Sequence, residues 1–536
     1  MSAGDSDAKV GRGAARGWRA LCVAALAAAL ALALANVWFG PLNQDEGWYL
    51  LAARNVARGR MPYRDFLYTQ GPFMPYFYGA LSWLWAPLGV LGGRLLTAAL
   101  GLAAALMAGT FAGRCAARTG ADAPAAEADA ARAAGRLAAL LSFVLLALSP
   151  DWSYFTAIPK TYALGAALLC AGFATLSGRR SAPALSGALF AAAAATRATL
   201  CLAAVPVWFA LIADRREPGR RFHWLRFALG CAAMLALCYG PVLALCADNF
   251  VFSQTYHTAR EGAGLGAWVM LRAGFVSLLA QGHPAMIAAA AALLVCVRPA
   301  AMRGLPRLWW AAVVAFAALT LAHLLTPFPY NDYNTPAMPL AAVALAVPLA
   351  RAAVRAGAAP GRVGLAALAA ALVFAGASPL CMKWVGGEQH LFWFKTDSVS
   401  ALARLRAAGA AVRERADGRP LLTQDAYLAV EADVPVVPGL EMGPFSFFPE
   451  LDAPTARLRH VHNEVTLLDA IAETDASVAA VSGYTFAIAC PSTEPVDPRL
   501  RSFLIEELVL RFPEPVHSEE RFGQHNTPLI VLARPE

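Results

Sequence analysis

The stretch NQDEGWYLLAARNVARGRMPYRDFLYTQGPFMPYFYG, residues 43–79, places an acidic pair, several arginines and many aromatic residues directly after a long apolar segment. Gln44 or Asp45 is predicted to cap a helix that begins at Glu46, and Gly59 is predicted to close it. The apolar residues of this helix share one face, which is typical of a helix that lies at a membrane surface. The acidic pair is therefore expected at the boundary between water and lipid.

The composition of the whole chain indicates a polytopic α-helical membrane protein. Among its 536 residues, 58% are hydrophobic and only 15% are charged. The net charge of +8 does not indicate nucleic-acid binding, because the basic residues gather in short runs between apolar segments, as membrane insertion requires. The ten cysteines show no CxxC spacing, so neither a zinc motif nor a redox motif is indicated.

The apolar runs predict about eleven membrane spans, with twelve or thirteen as alternatives, because several runs are shorter than the roughly 20 residues of a straight span. The first run, residues 20–37, is interpreted as a signal anchor, because no small-residue cleavage site follows it. The segment 72–88 combines prolines with many aromatic residues and is predicted to lie at the membrane interface. The other predicted spans are residues 93–113, 137–148, 161–177, 183–196, 198–213, 227–247, 285–297, 308–325, 336–350 and 363–380.

The basic residues set the predicted orientation. With eleven spans, most arginines of the connecting segments fall on the side of residues 1–19, which are therefore predicted to be cytoplasmic. The Ala- and Arg-rich composition is typical of a bacterial protein, so the membrane is predicted to be the inner membrane. The segments predicted to face the periplasm are the loop 38–92, which carries the acidic pair, and residues 150–160, 248–284 and 326–336.

A change in composition after residue 380 predicts the end of the transmembrane domain, residues 20–380, and the start of a soluble domain, residues 381–536. Helical and strand patterns alternate there, which is typical of a small α/β structure, and the span count places the domain in the periplasm. Its predicted helices are 397–416, 426–432 and 500–510, its predicted strands are 420–423 and 528–532, and a helix followed by a strand is predicted within 467–482.

An ordered set of features in this chain resembles the GT-C superfamily of polyprenyl-phosphate-sugar-dependent glycosyltransferases, above all its protein O-mannosyltransferase and lipid A aminoarabinose transferase group. The similarity covers roughly residues 20–350. The features are the acidic pair Asp45 and Glu46 after the first span, the short helix that follows, the proline- and aromatic-rich segment 72–88, and a late turn in which Tyr333 precedes Pro336 and Pro339.

Individual residues match the pattern of this family, with two departures. On the resemblance, the catalytic aspartate corresponds to Asp45, and the lysine of a Thr-Lys pair corresponds to Arg197. Trp48 stands where the relatives have an arginine, and Gln70 lies in a Thr-Gln-Gly-Pro sequence where they have Glu-Lys-Pro. Both departures remove a cation expected beside the donor phosphate.

The resemblance implies a membrane glycosyltransferase that moves a sugar from a polyprenyl-phosphate donor to a hydroxyl of a glycan, a lipid or a protein. Since the donor is already activated, the reaction needs a carboxylate base and one or two cations beside the leaving phosphate. Asp45 is predicted as the base, Glu46 as a second catalytic acid and Arg197 as the first phosphate ligand. The other predicted substrate or phosphate ligands are Lys160, Arg58, Arg64, Gln70, Tyr333 and Asp332.

This chemistry requires no cofactor. A divalent metal is an alternative, because Asp45, Glu46, Asp332 and His257 offer oxygen and nitrogen ligands. Simpler interpretations also apply to single residues, since an acidic pair caps surface helices and interfacial cations contact lipid headgroups.

Two other functions stay open on the sequence: a lipid-linked saccharide transporter or flippase, and a noncatalytic envelope assembly protein. The apolar runs hold few ionisable residues at mid-membrane depth, which argues against an ion-coupled transporter. Arg94 and His323 lie near the ends of runs and are expected to extend to the interface.

Overall fold

The computed structural model describes residues 3–118, 124–178, 180–217, 219–259, 264–298, 302–378, 399–524 and 526–535. The helices described before residue 379 are α1 (Ala3–Phe39), α2 (Gln44–Ala57), α3 (Phe73–Ala80), α4 (Ser82–Trp85), α5 (Gly89–Ala116), α6 (Ala125–Ala147), α7 (Pro150–Phe155), α8 (Thr161–Ser177), α9 (Pro183–Thr196), α10 (Ala204–Ala213), α11 (His223–Thr258), α12 (Leu265–Gly282), α13 (Pro284–Cys296), α14 (Arg307–Leu324), α15 (Met338–Arg355) and α16 (Pro360–Gly376). Short 3-10 helices cover Ala86–Leu88, Ala198–Ala203, Asp214–Arg216 and Asn331–Ala337.

The predicted class of polytopic helical membrane protein is confirmed. Within the described residues, eight helical segments are long and apolar enough to cross a membrane, and α8, α9, α13 and α16 are shorter apolar helices. Each predicted span coincides with one of these segments. The segment 72–88 forms the short helices α3 and α4 and a 3-10 turn that leads into α5, so it makes no separate span.

Among the described helices, α12 is an apolar helix within the segment 248–284, which was predicted to be a loop. Its length and composition suit a span, but its contacts keep it on one face of the bundle. Arg272 in its middle donates to the Thr326 carbonyl at 2.5 Å, and the carbonyl of its last residue, Gly282, accepts from Ser149 Oγ at 2.8 Å. Both partners belong to loops on the face that carries the C-terminal domain, so the order of spans is unchanged.

The C-terminal part confirms the predicted α/β structure, whereas the predicted boundary at residue 381 falls outside the described residues. Its main sheet has the strand order β1-β2-β6-β5, in which β1 and β2 are parallel and β6 is antiparallel to both of its neighbours. Its elements are α17 (Ala401–Ala416), β1 (Leu421–Leu422), α18 (Ala426–Ala432), α19 (Ala453–Leu458), α20 (Glu464–Glu473), β2 (Val478–Ser482), β3 (Ile488–Ala489), β4 (Glu494–Pro495), α21 (Pro498–Arg511), β5 (Glu514–Phe522) and β6 (Thr527–Ala533).

Helix α2 joins the membrane helices to this domain. Its N-cap is Asn43, whose side-chain oxygen accepts from a backbone N–H of the helix. The Glu46 carboxylate in turn accepts from the backbone N–H of Asn43. The predicted caps, Gln44 and Asp45, were therefore wrong by one or two positions. The helix does not lie on a lipid surface either, because α18 covers it. The approach is so close that a Cβ at Gly47 would lie 2.3 Å from the backbone nitrogen of Tyr427.

The other end of α2 is fixed by Arg54. This buried guanidinium donates to the carbonyls of Ala429 at 2.9 Å, Val430 at 3.3 Å and Val434 at 2.6 Å. Ala429 and Val430 belong to the last turn of α18, and Val434 follows the end of this helix. Arg54 also pairs with Asp433 at 3.1 Å, so both ends of α2 hold the C-terminal domain in place.

We expect both ends of α12 to be exposed on the same side of the membrane as the C-terminal domain. Single cysteines at Leu265 and Gln281, in a variant that lacks the native cysteines, should both react in intact spheroplasts with a maleimide that does not cross membranes. A cysteine at Arg298, beyond α13, is the control and should react only after permeabilisation. Reaction of only one end of α12 would show that this helix crosses the membrane.

Candidate active site

A cavity of about 740 Å³ lies between the membrane helices and the C-terminal domain. Four of the residues predicted from the sequence line it, and they come from three separate segments of the chain. These are Asp45, Lys160, Asp332 and Tyr333. The C-terminal domain contributes Pro444, Phe445, Tyr484, Ile488, Gln524 and Asn526 to the opposite wall.

Lys160 joins the two acids of this cavity. Its Nζ atom lies 3.0 Å from Asp45 Oδ2 and 3.0 Å from Asp332 Oδ2, and its side chain is only 5% exposed. Burial alone would lower the pKa of Lys160, but the two carboxylates outweigh it and hold that pKa well above its usual value. Lys160 is therefore a permanent cation at the floor of the cavity.

Local structure explains the position of Asp332. It lies in the 3-10 helix Asn331–Ala337, and it also accepts from Tyr162 Oη at 2.9 Å. The preceding residue, Asn331, donates to Asp151 Oδ2 at 2.9 Å. Burial raises the pKa of Asp151 to about 6, the hydrogen bond from Asn331 opposes this, and Asp332 adds to it. The loop after α6 thus holds the turn that carries Asp332.

Of the two acids that pair with Lys160, Asp45 is the more accessible, with 30% of its side chain exposed. Trp48, which replaces the arginine of the family pattern, directs its Nε1–H to Asp45 Oδ1 at 3.4 Å. Trp48 thus orients the carboxylate without adding a positive charge. Oδ2 of the carboxylate contacts Lys160 and Oδ1 contacts Trp48, yet Asp45 still lines the cavity with part of its side chain exposed.

Glu46, which was predicted as a second catalytic acid, does not line the cavity. It is fully buried, and its two oxygens bind Arg94 Nη2 at 2.7 Å and Nε at 2.8 Å. Arg94 also donates to the carbonyls of Val37, Gly40 and Pro41. The expectation that Arg94 extends to the interface was therefore wrong, because an internal carboxylate neutralises it.

Arg197 lies beside the cavity, behind Tyr333. Its guanidinium carbon is 4.6 Å from the centre of the Tyr333 ring and 5.3 Å from that of Tyr162. Its Nε is buried without a hydrogen-bond partner in the part of the chain that the structure describes. The nearby His323 is fully buried, and its Nδ1 lies 3.3 Å from Asn334 Oδ1. The expectation that His323 extends to the interface was therefore wrong. The aromatic faces hold the Arg197 charge beside the acidic cluster.

The structure places three other predicted ligands elsewhere. Arg58 pairs with Asp433 of the C-terminal domain at 3.0 Å. Arg64 pairs with its neighbour Asp65 at 2.8 Å and is half exposed. Gln70 Nε2 lies 3.3 Å from His257 Nε2. These side chains do not line the cavity, so their predicted role as substrate or phosphate ligands stays a prediction.

The predicted metal ligands do not meet at one point. Within the described residues, no group of three or more His, Cys, Asp or Glu side chains is arranged to hold a metal ion. His257 contacts the Thr69 carbonyl at 2.6 Å, and Asp45 and Asp332 are joined through Lys160.

Several residues of the site were missed by sequence reasoning. Tyr162 had a weak signal, since it follows Lys160 by two residues at the start of α8. Asp151 had no sequence signal beyond its place in a predicted loop. The residues Tyr484, Gln524 and Asn526 carry no local signal, because only the folding of the C-terminal domain brings them to Asp45.

Comparisons with known proteins define the class of fold. No protein-family model matches the sequence, and no curated protein sequence matches it. The chain has the polytopic fold of GT-C glycosyltransferases. The solved structure of ArnT from Cupriavidus metallidurans bound to undecaprenyl phosphate matches it with a TM-score of 0.59 and 13% identity, over 96% of this chain and 99% of that chain. The arabinofuranosyltransferase AftD from Mycobacteria matches with a TM-score of 0.42 and 18% identity, over 97% of this chain and 40% of that chain. The fold that the resemblance implied is confirmed.

Replacement of Arg94 tests the structural assignment of Glu46. Arg94→Ala leaves a buried carboxylate without its cation, which costs about 3–5 kcal/mol in buried pairs, so the thermal unfolding midpoint in detergent should fall clearly. The control is Arg64→Ala, because Arg64 is half exposed and its partner Asp65 is partly open to water, and its midpoint should stay unchanged. An Arg94→Ala protein as stable as the wild type would return Glu46 to the list of functional acids.

Proposed function

We propose that this protein is a membrane glycosyltransferase that transfers a sugar from a polyprenyl-phosphate donor to an acceptor hydroxyl. The observation that carries the proposal is the Asp45 carboxylate, held by the buried Lys160 at the wall of a 740 Å³ cavity. This cavity adjoins membrane helices on one side and a water-exposed domain on the other. A lipid-linked donor and a polar acceptor enter from those two directions.

The proposed reaction is a single displacement at the anomeric carbon. Asp45 accepts the proton of the acceptor hydroxyl as its oxygen bonds to that carbon. The bond from the anomeric carbon to the phosphate oxygen breaks, and its electron pair leaves with the polyprenyl phosphate. Lys160 and Arg197 stabilise the negative charge that develops on the leaving phosphate. Lys160 thereby exchanges part of its contact with Asp45 for contact with the phosphate.

Lys160 and Arg197 also supply the positive charge that the two departures from the family pattern remove. Trp48 contacts Asp45 in place of an arginine, and Gln70 is directed to His257. With two cations beside the cavity, the proposed reaction requires no metal, and we expect turnover to survive treatment with EDTA.

The position of the charged cluster favours transfer over transport. Asp45, Lys160 and Asp332 lie at one face of the bundle, at the contact with the C-terminal domain. A transport path for an ion or a saccharide needs polar groups at mid-membrane depth. The distribution of basic residues supports a periplasmic active site in the inner membrane of a bacterium, and the sugar is a hexose or a pentose.

Asp45→Asn is the direct test of the base. The carboxamide keeps the shape and the hydrogen bonding of the carboxylate but does not take up a proton, so transfer should fall roughly 100- to 10,000-fold. The measurement is transfer of label from a panel of polyprenyl-phosphate sugars by purified protein in detergent. The control is Asp469→Asn, a surface acid that pairs with Arg457, and it should transfer at the wild-type rate. Full turnover by Asp45→Asn would refute the assignment.

Arg197 is expected to bind the donor phosphate. Loss of a hydrogen bond to a charged group costs about 1.5–3 kcal/mol, so Arg197→Ala should weaken binding of undecaprenyl phosphate roughly 10- to 150-fold. Arg197→Lys keeps the charge and should recover part of the affinity. The control, Arg136→Ala, lies at the opposite end of the bundle and should bind as the wild type does. Equal affinity of all four proteins would assign Arg197 to packing between its two tyrosines.

A further inference from the structure

The cavity has two chemically different walls. The charged side chains among its described lining residues are Asp45, Lys160 and Asp332, which pair with one another on the membrane side. The wall formed by the C-terminal domain carries carboxamides and aromatic rings instead, namely Gln524, Asn526, Tyr484 and Phe445. Two different ligands, one anionic and one neutral, suit these two walls.

We infer that the C-terminal domain supplies the acceptor subsite and that the acceptor is a neutral saccharide. This inference rests on the proposed function and names the substrate class of the same site. A carboxamide presents a donor and an acceptor side by side, which matches neighbouring sugar hydroxyls. Aromatic faces pack against the apolar C–H faces of sugar rings. An anionic acceptor would lose solvation on this wall without gaining a cation.

Gln524 is the best-placed amide for this role. Its Oε1 accepts from the backbone N–H of Gln44 at 3.2 Å, which fixes the carboxamide next to Asp45. Its Nε2 has no hydrogen-bond partner in the part of the chain that the structure describes, although the residue is exposed and lines the cavity. Two N–H groups are thus available for a ligand next to the catalytic carboxylate.

Tyr484 ties the same wall to the reacting carboxylate. Tyr484 and Asp45 line the same cavity, and burial raises the pKa of Tyr484 to about 12, with Asp45 and Asp425 adding to the effect. A hydroxyl bound to this wall is therefore close to the base. The volume of about 740 Å³ is in the range of sites that enclose small organic ligands, roughly 300–1,000 Å³.

The domain wall does not move freely relative to Asp45. Gly47, two residues after Asp45, lies against Tyr427 of α18, and Arg54 binds the end of the same helix. The amides of the domain and the base of the membrane part therefore form one preorganised site. Such preorganisation reduces the entropic cost of holding an acceptor for reaction.

The first test uses acceptors of known charge. With a labelled polyprenyl-phosphate sugar that supports turnover, we expect label in neutral trisaccharides such as maltotriose or mannotriose. Phosphatidylglycerol, which has hydroxyls but a negative charge, and a serine-containing peptide should remain unlabelled. Labelling of the lipid or the peptide without labelling of any neutral saccharide would overturn the inference and leave the proposed transferase function standing.

The second test locates the subsite. Gln524→Ala and Tyr484→Phe should each raise the acceptor KM roughly 3- to 10-fold, the effect of one lost hydrogen bond, while the affinity for undecaprenyl phosphate stays constant. Gln281→Ala, an exposed amide on α12, is the matched control and should change neither value. An equal loss of lipid-phosphate affinity in the two variants would make this wall a donor subsite and refute the inference.

A binding measurement separates this inference from the proposed function. Saturation-transfer NMR on the purified full-length protein needs no donor and no turnover. Neutral trisaccharides should give a signal that Gln524→Ala weakens and Gln281→Ala does not. If no donor supports transfer, the proposed function fails while this signal still supports a saccharide site. Absence of the signal for every neutral trisaccharide would overturn the saccharide site.

Discussion

The ammonium of Lys160 between Asp45 and Asp332 is the interaction on which the rest of the site depends. A cation that is 95% covered is costly unless carboxylates offset the loss of water. The two carboxylates belong to segments that are far apart in sequence, one after the first span and one in the late proline turn. Any fold that buries Lys160 must bring these segments together, and that meeting point forms the wall of the cavity.

The same constraint explains how the site differs from the family pattern. In the family that this sequence resembles, cations flank the catalytic aspartate along the first periplasmic loop, whereas this chain has Trp48 and Gln70 at those positions. The structure places positive charge beside the aspartate from other elements, through Lys160 before α8 and Arg197 after α9. In the proposed reaction, different helices supply the cations for the leaving phosphate while the aspartate keeps its place.

Much of the fold follows from local pattern. The apolar runs predicted the membrane helices, and the helix 426–432 was predicted with its observed bounds. The edge strand β5 was missed, since its sequence EPVHSEERF is largely polar and its pairing with β6 comes from tertiary contact. The surface position expected for α2 was wrong for a related reason. The element that covers this helix, α18, lies almost 400 residues later, and no local periodicity encodes it.

The residues of the site also differ in whether the local sequence reveals them. Residue type and the family pattern identified Asp45, Lys160, Asp332, Tyr333 and Arg197, which the structure brings together. They did not separate these from Arg58 and Arg64, because an exposed arginine in a loop has the same local sequence whether it binds a ligand or a surface acid. The pairing of Glu46 with Arg94 was also hidden, since Arg94 stands inside an apolar run where no partner is visible.

The most direct test of the central claim is a cryo-EM structure of the full-length protein in lipid nanodiscs with undecaprenyl phosphate. We expect the phosphate to lie within hydrogen-bond distance, about 3 Å, of Lys160 or Arg197, on the membrane side of the cavity that Asp45 lines. A phosphate bound away from both cations, for example at Arg64 or at the opposite end of the bundle near Arg114, would contradict this expectation.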